Sequence, residues 1–264
     1  MNLVNNNNHW RIFLTICLVS LITLTGCQAT SDSAVSGGNN SEDIESPIAD
    51  VTEENQSTDI DNNIMSLPTL EGKAIVEMKV KGQSITIELD GNNAPITAGN
   101  FLDLVDKGVY DGLVFHRVVT DPQPFVAQGG DPQGKDPNFP VSRLGTGGYT
   151  DPNTNSQRYI PLEIRPEYDE SAEDVTAPEI IYSTTTTMTP QLRHEYGVIA
   201  MARSQMPDSA SSQFYFTLAD LPFLDGNYAV FGKVTDGMDV VEGIAQGDRI
   251  ESVEVISGIE NLKR

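Results

Sequence analysis

One guanidinium, set in an apolar strand, is the group in this chain best placed to do chemistry. Val114 to Val119 is rich in β-branched and aromatic residues and follows the turn signal Tyr110-Asp111-Gly112, so it reads as a strand. Side chains alternate along a strand, which puts Phe115, Arg117 and Val119 on one face. A guanidinium among apolar neighbours calls for a partner or a ligand. The usual catalytic sets cannot be assembled around it. His116 falls on the opposite face, His194 lies in a loop, and no Ser-His-Asp or metal-spaced set can be built from these two histidines. The cysteines are Cys17 and Cys27, and the chain beyond them has no thiol nucleophile, disulfide framework or cysteine metal site. Gly145-Thr146-Gly147-Gly148 lacks the Gly-Lys-Ser/Thr ending and the following helix of a phosphate loop. No metal or cofactor site is expected, and Arg117 taken alone reads as a strand-edge arginine paired to a carboxylate unless its neighbours in sequence give it another role.

Several elements must position that cation. Val76, Met78 and Val80 alternate with charged residues, as do Ile85, Ile87 and Leu89, and Lys81-Gly82-Gln83 lies between the two runs. This predicts a β-hairpin with one dry face. Asn93 to Gly108 predicts a helix, with Asn93 as cap, Pro95 in the first turn and Gly108 just past the end. Thr97, Phe101, Leu104 and Val105 form its apolar stripe. Phe125 to Gln128 reads as a short strand, Gly197 to Ala202 as a buried one, and Arg249 to Ile256 as a closing one. Gly237 to Gly243 is a candidate short helix. In Ser211 to Phe216, Gln213 and Tyr215 share one face and Phe214 and Phe216 the other. A buried Tyr215 hydroxyl needs a partner.

Four ordered motifs now stand out: Phe115-His116-Arg117, Phe125-Val126-Ala127-Gln128-Gly129-Gly130-Asp131, Ser211-Ser212-Gln213-Phe214-Tyr215-Phe216, and Phe223-Leu224-Asp225-Gly226 running on to Val230-Phe231-Gly232-Lys233-Val234. In that order they resemble the cyclophilins, peptidyl-prolyl cis-trans isomerases of the cyclosporin-sensitive type, in a bacterial or cyanobacterial lipoprotein form. The likeness runs from about Ile75 to Val255. It implies an all-β fold with capping helices, a closed eight-stranded antiparallel barrel. It also implies isomerisation of Xaa-Pro bonds in exported proteins, assisting their folding. The alternative is a non-catalytic proline-peptide binding module or holdase.

Rotation about an Xaa-Pro bond meets a barrier of about 18–20 kcal/mol and breaks no covalent bond. It needs a dry pocket for the ring, donors for the flanking peptide and a cation aimed at the twisted amide. By the resemblance Arg117 is that cation, Gln128 orients it, and Phe125 belongs with them in the catalytic set. Phe125, Val126, Tyr215 and Leu224 would form the proline pocket, with Phe223 and Tyr228 at its rim. Ala202 and Gln213 would line the backbone groove, and His116 and Arg203 would also touch substrate. Arg203 stands where the family often has Asn, Tyr215 where it usually has Phe, and Tyr228 where a His is common. Phe223 replaces the Trp of animal-type relatives, which implies that cyclosporin binding is possible but weakened.

The N-terminus reads separately. Ile12 to Leu24 is almost continuously apolar, short for a bilayer span but right for a signal-peptide core. It ends in Leu24-Thr25-Gly26-Cys27, which resembles the bacterial lipoprotein box and implies lipidation at Cys27. The expected organisation is a signal peptide over 1–26, an acidic tether over 27–72, a domain over 73–258 with enlarged loops near 132–143 and 149–193, and a tail over 259–264. Gln28 to Gly72 carries ten acidic residues and no Lys or Arg. Its low hydrophobicity cannot offset chain entropy, and as a coil it would span roughly 35–40 Å. The 149–193 excursion, acidic and then Thr-rich, is expected to be mobile. The net charge of −22 argues against nucleic acid as a partner. The expected partners are proline-containing polypeptides and, through the anchor, a membrane facing the periplasm or an equivalent extracytoplasmic space. The protein itself is expected to be monomeric.

Overall fold

The computed structural model describes residues 66–172 and 176–264; the expected signal peptide, Cys27 and nearly all of the tether lie outside the described residues. In chain order the strands are β1 (Thr69–Leu70), β2 (Lys73–Val80), β3 (Gln83–Asp90), β4 (Arg117–Val118), β5 (Val126–Gly129), β6 (Glu163–Ile164), β7 (Ile181–Tyr182), β8 (Val198–Met201), β9 (Phe214–Thr217), β10 (Val230–Asp236), β11 (Ile250–Ser257) and β12 (Leu262–Lys263). Helix α1 spans Pro95–Asp106 and α2 spans Met238–Glu242. Eight strands make one antiparallel sheet in the order β11-β2-β3-β10-β8-β9-β5-β4.

The expected closure takes a looser form than a continuous ladder. The edge strands β4 and β11 do not pair along their length. Instead the residues before β4 meet those at the start of β11: Phe115 N–H donates to Asp248 O, Ile250 N–H to Leu113 O and Gly112 N–H to Ile250 O, with a bridge between Val114 and Arg249. The curled sheet thus has its two edges joined by a short run of backbone bonds.

The hairpin forms as its alternation predicts, with a two-residue turn in which Lys81 and Gly82 both have positive φ. Helix α1 is buried almost all round. Asn93 does not cap it: Ala94 stands at that position and makes no side-chain cap. The cap comes from the excursion. Glu163, fully buried on β6, accepts from Ile96 N–H at 3.1 Å, Thr97 N–H at 2.8 Å and Thr97 Oγ1 at 2.7 Å. A carboxylate at a helix N-terminus meets both the orphan donors and the dipole, and these counter part of its burial, which still holds its pKa above the ordinary value.

The expected boundaries shift as well. Thr69–Leu70, assigned to the tether, pairs with Leu262–Lys263, assigned to the tail, and Leu70 and Leu262 both enter the core. Leu70 also lies directly against Gly91, where an added Cβ would come within 2.2 Å of its carbonyl oxygen. The excursion is likewise tied down where it is described. β6 pairs with β7, Gln191 N–H donates to Arg165 O, and the Arg165 guanidinium donates to Pro178 O and Asn92 O. No helix among the described residues is long and apolar enough to cross a membrane.

The core occupies the inner face of the sheet. Phe101, Tyr110, Phe115, Phe214, Phe216 and Phe231 are fully buried, with several ring pairs meeting edge to face. The opposite face of the same strands carries a second, smaller apolar cluster built on Val126, Val198, Ala200, Tyr215, Leu221 and Val230.

Candidate functional site

The site is a cross-strand row on that outer face. Arg117 pairs with Gln128 across β4–β5, Gln128 with Tyr215 across β5–β9, Tyr215 with Ala200 across β9–β8, and Ala200 with Val230 across β8–β10. Antiparallel partners directly opposite lie close enough for their side chains to touch. Four ladders therefore bring residues more than a hundred positions apart into one line.

Arg117 points outward and is exposed, unlike the arrangement its alternation predicts. Regular strand begins only at Arg117 itself, so Phe115 enters the core while Arg117 faces solvent. The guanidinium stands 5.3 Å from the centroid of Phe125, whose ring lies parallel to Phe223 at 6.1 Å. Its Nη1 makes a long 3.5 Å contact with Gln128 Oε1. Gln128 Nε2 donates to Gln213 Oε1 at 3.1 Å, and Gln213 Nε2 donates to Gly147 O at 2.7 Å. Arginine can only donate, so both amides are oriented in one sense along this chain.

Asp131, the last residue of the second motif, anchors the far end. Its buried carboxylate accepts from Gln133 N–H, Gly145 N–H at 2.6 Å and Gly147 N–H at 3.0 Å. The glycine turn approaches so closely that a Cβ at Gly147 would lie 2.2 Å from Asp131 Oδ1. The turn therefore serves to hold a carbonyl for Gln213.

Beside Arg117 lies a cavity of about 200 Å³. Val126, Tyr215 and Leu224 give it an apolar floor and wall, Phe125, Tyr228 and Ala202 its margins, and Arg203 one side. Arg203 is fixed there: its Nε donates to Asn227 O at 2.8 Å and its guanidinium lies 4.8 Å from the Tyr228 ring. A second cavity of about 380 Å³ runs past Gln128, Gln213 and the 145–148 turn, with Ala202 and Arg203 shared between the two. Phe223 and Leu224 border a third, more open recess, and Phe223 is 67% exposed.

Of the residues expected at the site, His116 is the one the fold takes elsewhere. It is buried under the glycine turn, where a Cβ added at Gly145 would meet its Nε2 at 3.4 Å, and it does not line the cavity. Burial pushes its pKa below the ordinary value, with Asp131 pulling the other way. Two further residues belong to the site: His194 and Asp225 hold the Tyr215 hydroxyl from behind. Tyrosine at a position that ordinarily carries Phe was the signal that such a partner had to exist. Among the described residues no group of three or more His, Cys, Asp or Glu side chains could hold a metal ion.

Comparison with known proteins identifies the family. Residues 75–261 match the family described as cyclophilin type peptidyl-prolyl cis-trans isomerase/CLD. A Synechocystis protein named as a thylakoid lumen peptidyl-prolyl cis-trans isomerase is 39% identical over 219 residues, covering 77% of this chain and 52% of that protein. A chloroplastic peptidyl-prolyl cis-trans isomerase of Arabidopsis thaliana is 38% identical over 219 residues, 75% of this chain and 45% of the relative. The chain thus spans about half the length of these two relatives. Among solved structures, a Cryptosporidium parvum cyclophilin type isomerase superposes with a TM-score of 0.51 at 25% identity, covering 70% of this chain and 98% of that one. A second crystal structure of that protein, obtained in the presence of the dipeptide Ala-Pro, gives a TM-score of 0.50 at 26% identity.

Proposed function

From the premise that the chain belongs to the cyclophilin-type peptidyl-prolyl cis-trans isomerases, we propose that it catalyses cis-trans isomerisation of Xaa-Pro bonds in exported polypeptides. The observation that carries the reading is one juxtaposition. An exposed guanidinium in contact with Gln128 stands beside a 200 Å³ cavity with an apolar floor, and Gln213 continues the polar chain.

The proline ring enters the cavity over Tyr215 and between Val126 and Leu224. That burial is available to the cis and trans ground states alike and supplies binding without acceleration. Ala202, Gln213 and the 145–148 turn offer the neighbouring peptide a polar groove. Arg117 acts on the reacting bond. As the prolyl nitrogen leaves the amide plane its lone pair localises, and a donor already in place stabilises that state more than the planar one. Proton transfer, a nucleophile and a covalent intermediate are not required. The Ala-Pro dipeptide used with the Cryptosporidium protein is the minimal ligand of this kind.

The test is NMR exchange on an Xaa-Pro tetrapeptide with the purified protein. Exchange accelerated in proportion to enzyme is the expected result. Binding without acceleration would put the holdase reading in front.

For its place in the cell, the sequence supports export and lipid anchoring at Cys27, with the acidic segment as tether. The names of the two plant-type and cyanobacterial relatives, thylakoid lumen and chloroplastic, support an extracytoplasmic setting. Membrane association that persists in Cys27→Ser, followed by detergent partitioning and mass spectrometry, would overturn the anchor.

A further inference from the structure

We infer that His194, held by Asp225, is a positioning residue that fixes the floor of the proline cavity through the hydroxyl of Tyr215. The inference rests on the isomerase site described above and assigns work to two residues outside the cavity. Tyr215 is the floor, and the residue is 5% exposed. Its hydroxyl turns away from the cavity and meets His194 Nε2 at 3.0 Å. On the other side of that ring, His194 Nδ1 lies 2.8 Å from Asp225 Oδ1. The His194 side chain is fully buried and Asp225 is 17% exposed.

The chemistry fixes the direction of each bond. A carboxylate only accepts, so Nδ1 carries the proton and the neutral ring presents a lone pair at Nε2. The Tyr215 hydroxyl must then donate to it. Burial holds His194 below its ordinary pKa, in opposition to Asp225, which is consistent with the neutral ring.

The same histidine also joins the floor to the wall. Its main-chain N–H donates to Asp225 Oδ1 at 2.8 Å, and its carbonyl accepts from Leu221 N–H at 2.7 Å. Leu224 N–H in turn donates to Leu221 O, which places the Leu224 wall on the same support. The His194 and Tyr215 rings are nearly parallel at 6.1 Å, and Tyr215 meets Tyr228 edge-on at 6.1 Å. The ring that receives proline is therefore held at its hydroxyl, along its face and at its edge. A structural histidine could satisfy a loop without touching the floor of a cavity. This one ends on the floor.

The role makes a kinetic signature opposite to that of Arg117. A displaced floor weakens proline binding in both isomers, so the loss falls on KM and leaves kcat in place. The experiment measures kcat and KM by NMR exchange, and peptide Kd by calorimetry, for Tyr215→Phe, His194→Leu, the double variant and His194→Gln. Each of the first two is expected to raise KM and Kd about five- to tenfold, the effect of one buried hydrogen bond, with kcat unchanged. The double variant should be no worse than the worse single, because both remove one bond. His194→Gln keeps an acceptor for the hydroxyl and should recover most of the loss. Additive losses, or a Tyr215→Phe protein with wild-type KM and Kd, would overturn the proposal. Tyr215→Phe removes a single oxygen atom, so the test survives a misfolded His194→Leu. If the wild type shows no turnover, the isomerase reading fails while the Kd coupling still decides this one.

Discussion

The two faces of β9 are made by adjacent residues and obey different rules. Phe214 and Phe216 point inward, each fully buried among other aromatic rings with no polar atom to satisfy. Gln213 and Tyr215 lie on the outer side, and their polar side-chain atoms have named partners: Gln128 and Gly147 O for Gln213, and His194 behind the cavity for the Tyr215 hydroxyl. The inner face is held by area and packing, which are non-directional and tolerate similar shapes. The outer face is held by a few directed bonds, which fix positions to fractions of an ångström and fail one at a time. A single strand thus lends one face to the core and the other to the candidate site.

That contrast can be broken from either side. Phe214→Ala should cost about 3–5 kcal/mol of unfolding free energy, read by urea denaturation, because a fully buried ring leaves a cavity the neighbouring rings cannot fill. A loss under about 1 kcal/mol would mean the inner face is loosely packed. Arg117→Ala should do the reverse, leaving the denaturation midpoint in place while lowering kcat by about 10²–10³, or roughly 3–4 kcal/mol of transition-state stabilisation. Arg117→Lys should recover little of it, since a flexible point charge cannot match the planar fork. A folded Arg117→Ala protein with wild-type kcat would remove the mechanism.

Smaller effects sharpen the same division. Phe223 lies at the rim, 67% exposed and stacked on Phe125, and has no ring donor. Phe223→Trp should tighten cyclosporin binding by about 1–2 kcal/mol, tenfold or somewhat more, by calorimetry. An unchanged Kd would place the difference from animal-type relatives elsewhere in the cavity.

The smallest effect is pH dependence. His116 and His194 are both buried, and desolvation lowers both pKa values in the folded protein. The unfolded chain, with histidines near about 6.5, then binds more protons in the window between the folded values and that point. Stability attributable to these residues is therefore full above about 6.5 and falls as pH drops below it. Denaturation at pH 5.5 and 7.5 should show this slope reduced in His194→Gln. An equal slope in both proteins would mean that His194 binds protons alike in the folded and unfolded states, so that its pKa is not lowered by the fold.

Local rules made much of this legible. The hairpin, the burial of α1, the alternation along β9 and the short α2 all follow from period and turn chemistry. The demand of Tyr215 for a partner was also readable, because a phenol in an apolar cavity cannot be left alone. The identity of that partner was not, since His194 lies 21 residues before Tyr215 with no periodic relation to it. His116 misled for a related reason. Adjacent to Arg117 in sequence, it is carried under the glycine turn where the strand alternation breaks.

The sequence by itself determined which residue types would meet: a cation, two amides and a set of aromatic rings, in motifs whose order marks the family. Only the tertiary structure decided how they are held. The register of four ladders set Arg117, Gln128 and Tyr215 in one row, and no local pattern encodes register between distant strands. The cap of α1 came from Glu163, sixty-odd residues on, in place of its own Asn93. Leu70 and Leu262, read as tether and tail, pair because burying both ends of the domain against α1 removes more apolar surface than leaving either in water. Long-range partners of this kind depend on what the fold brings within about 3 Å, and sequence spacing carries no information about that distance.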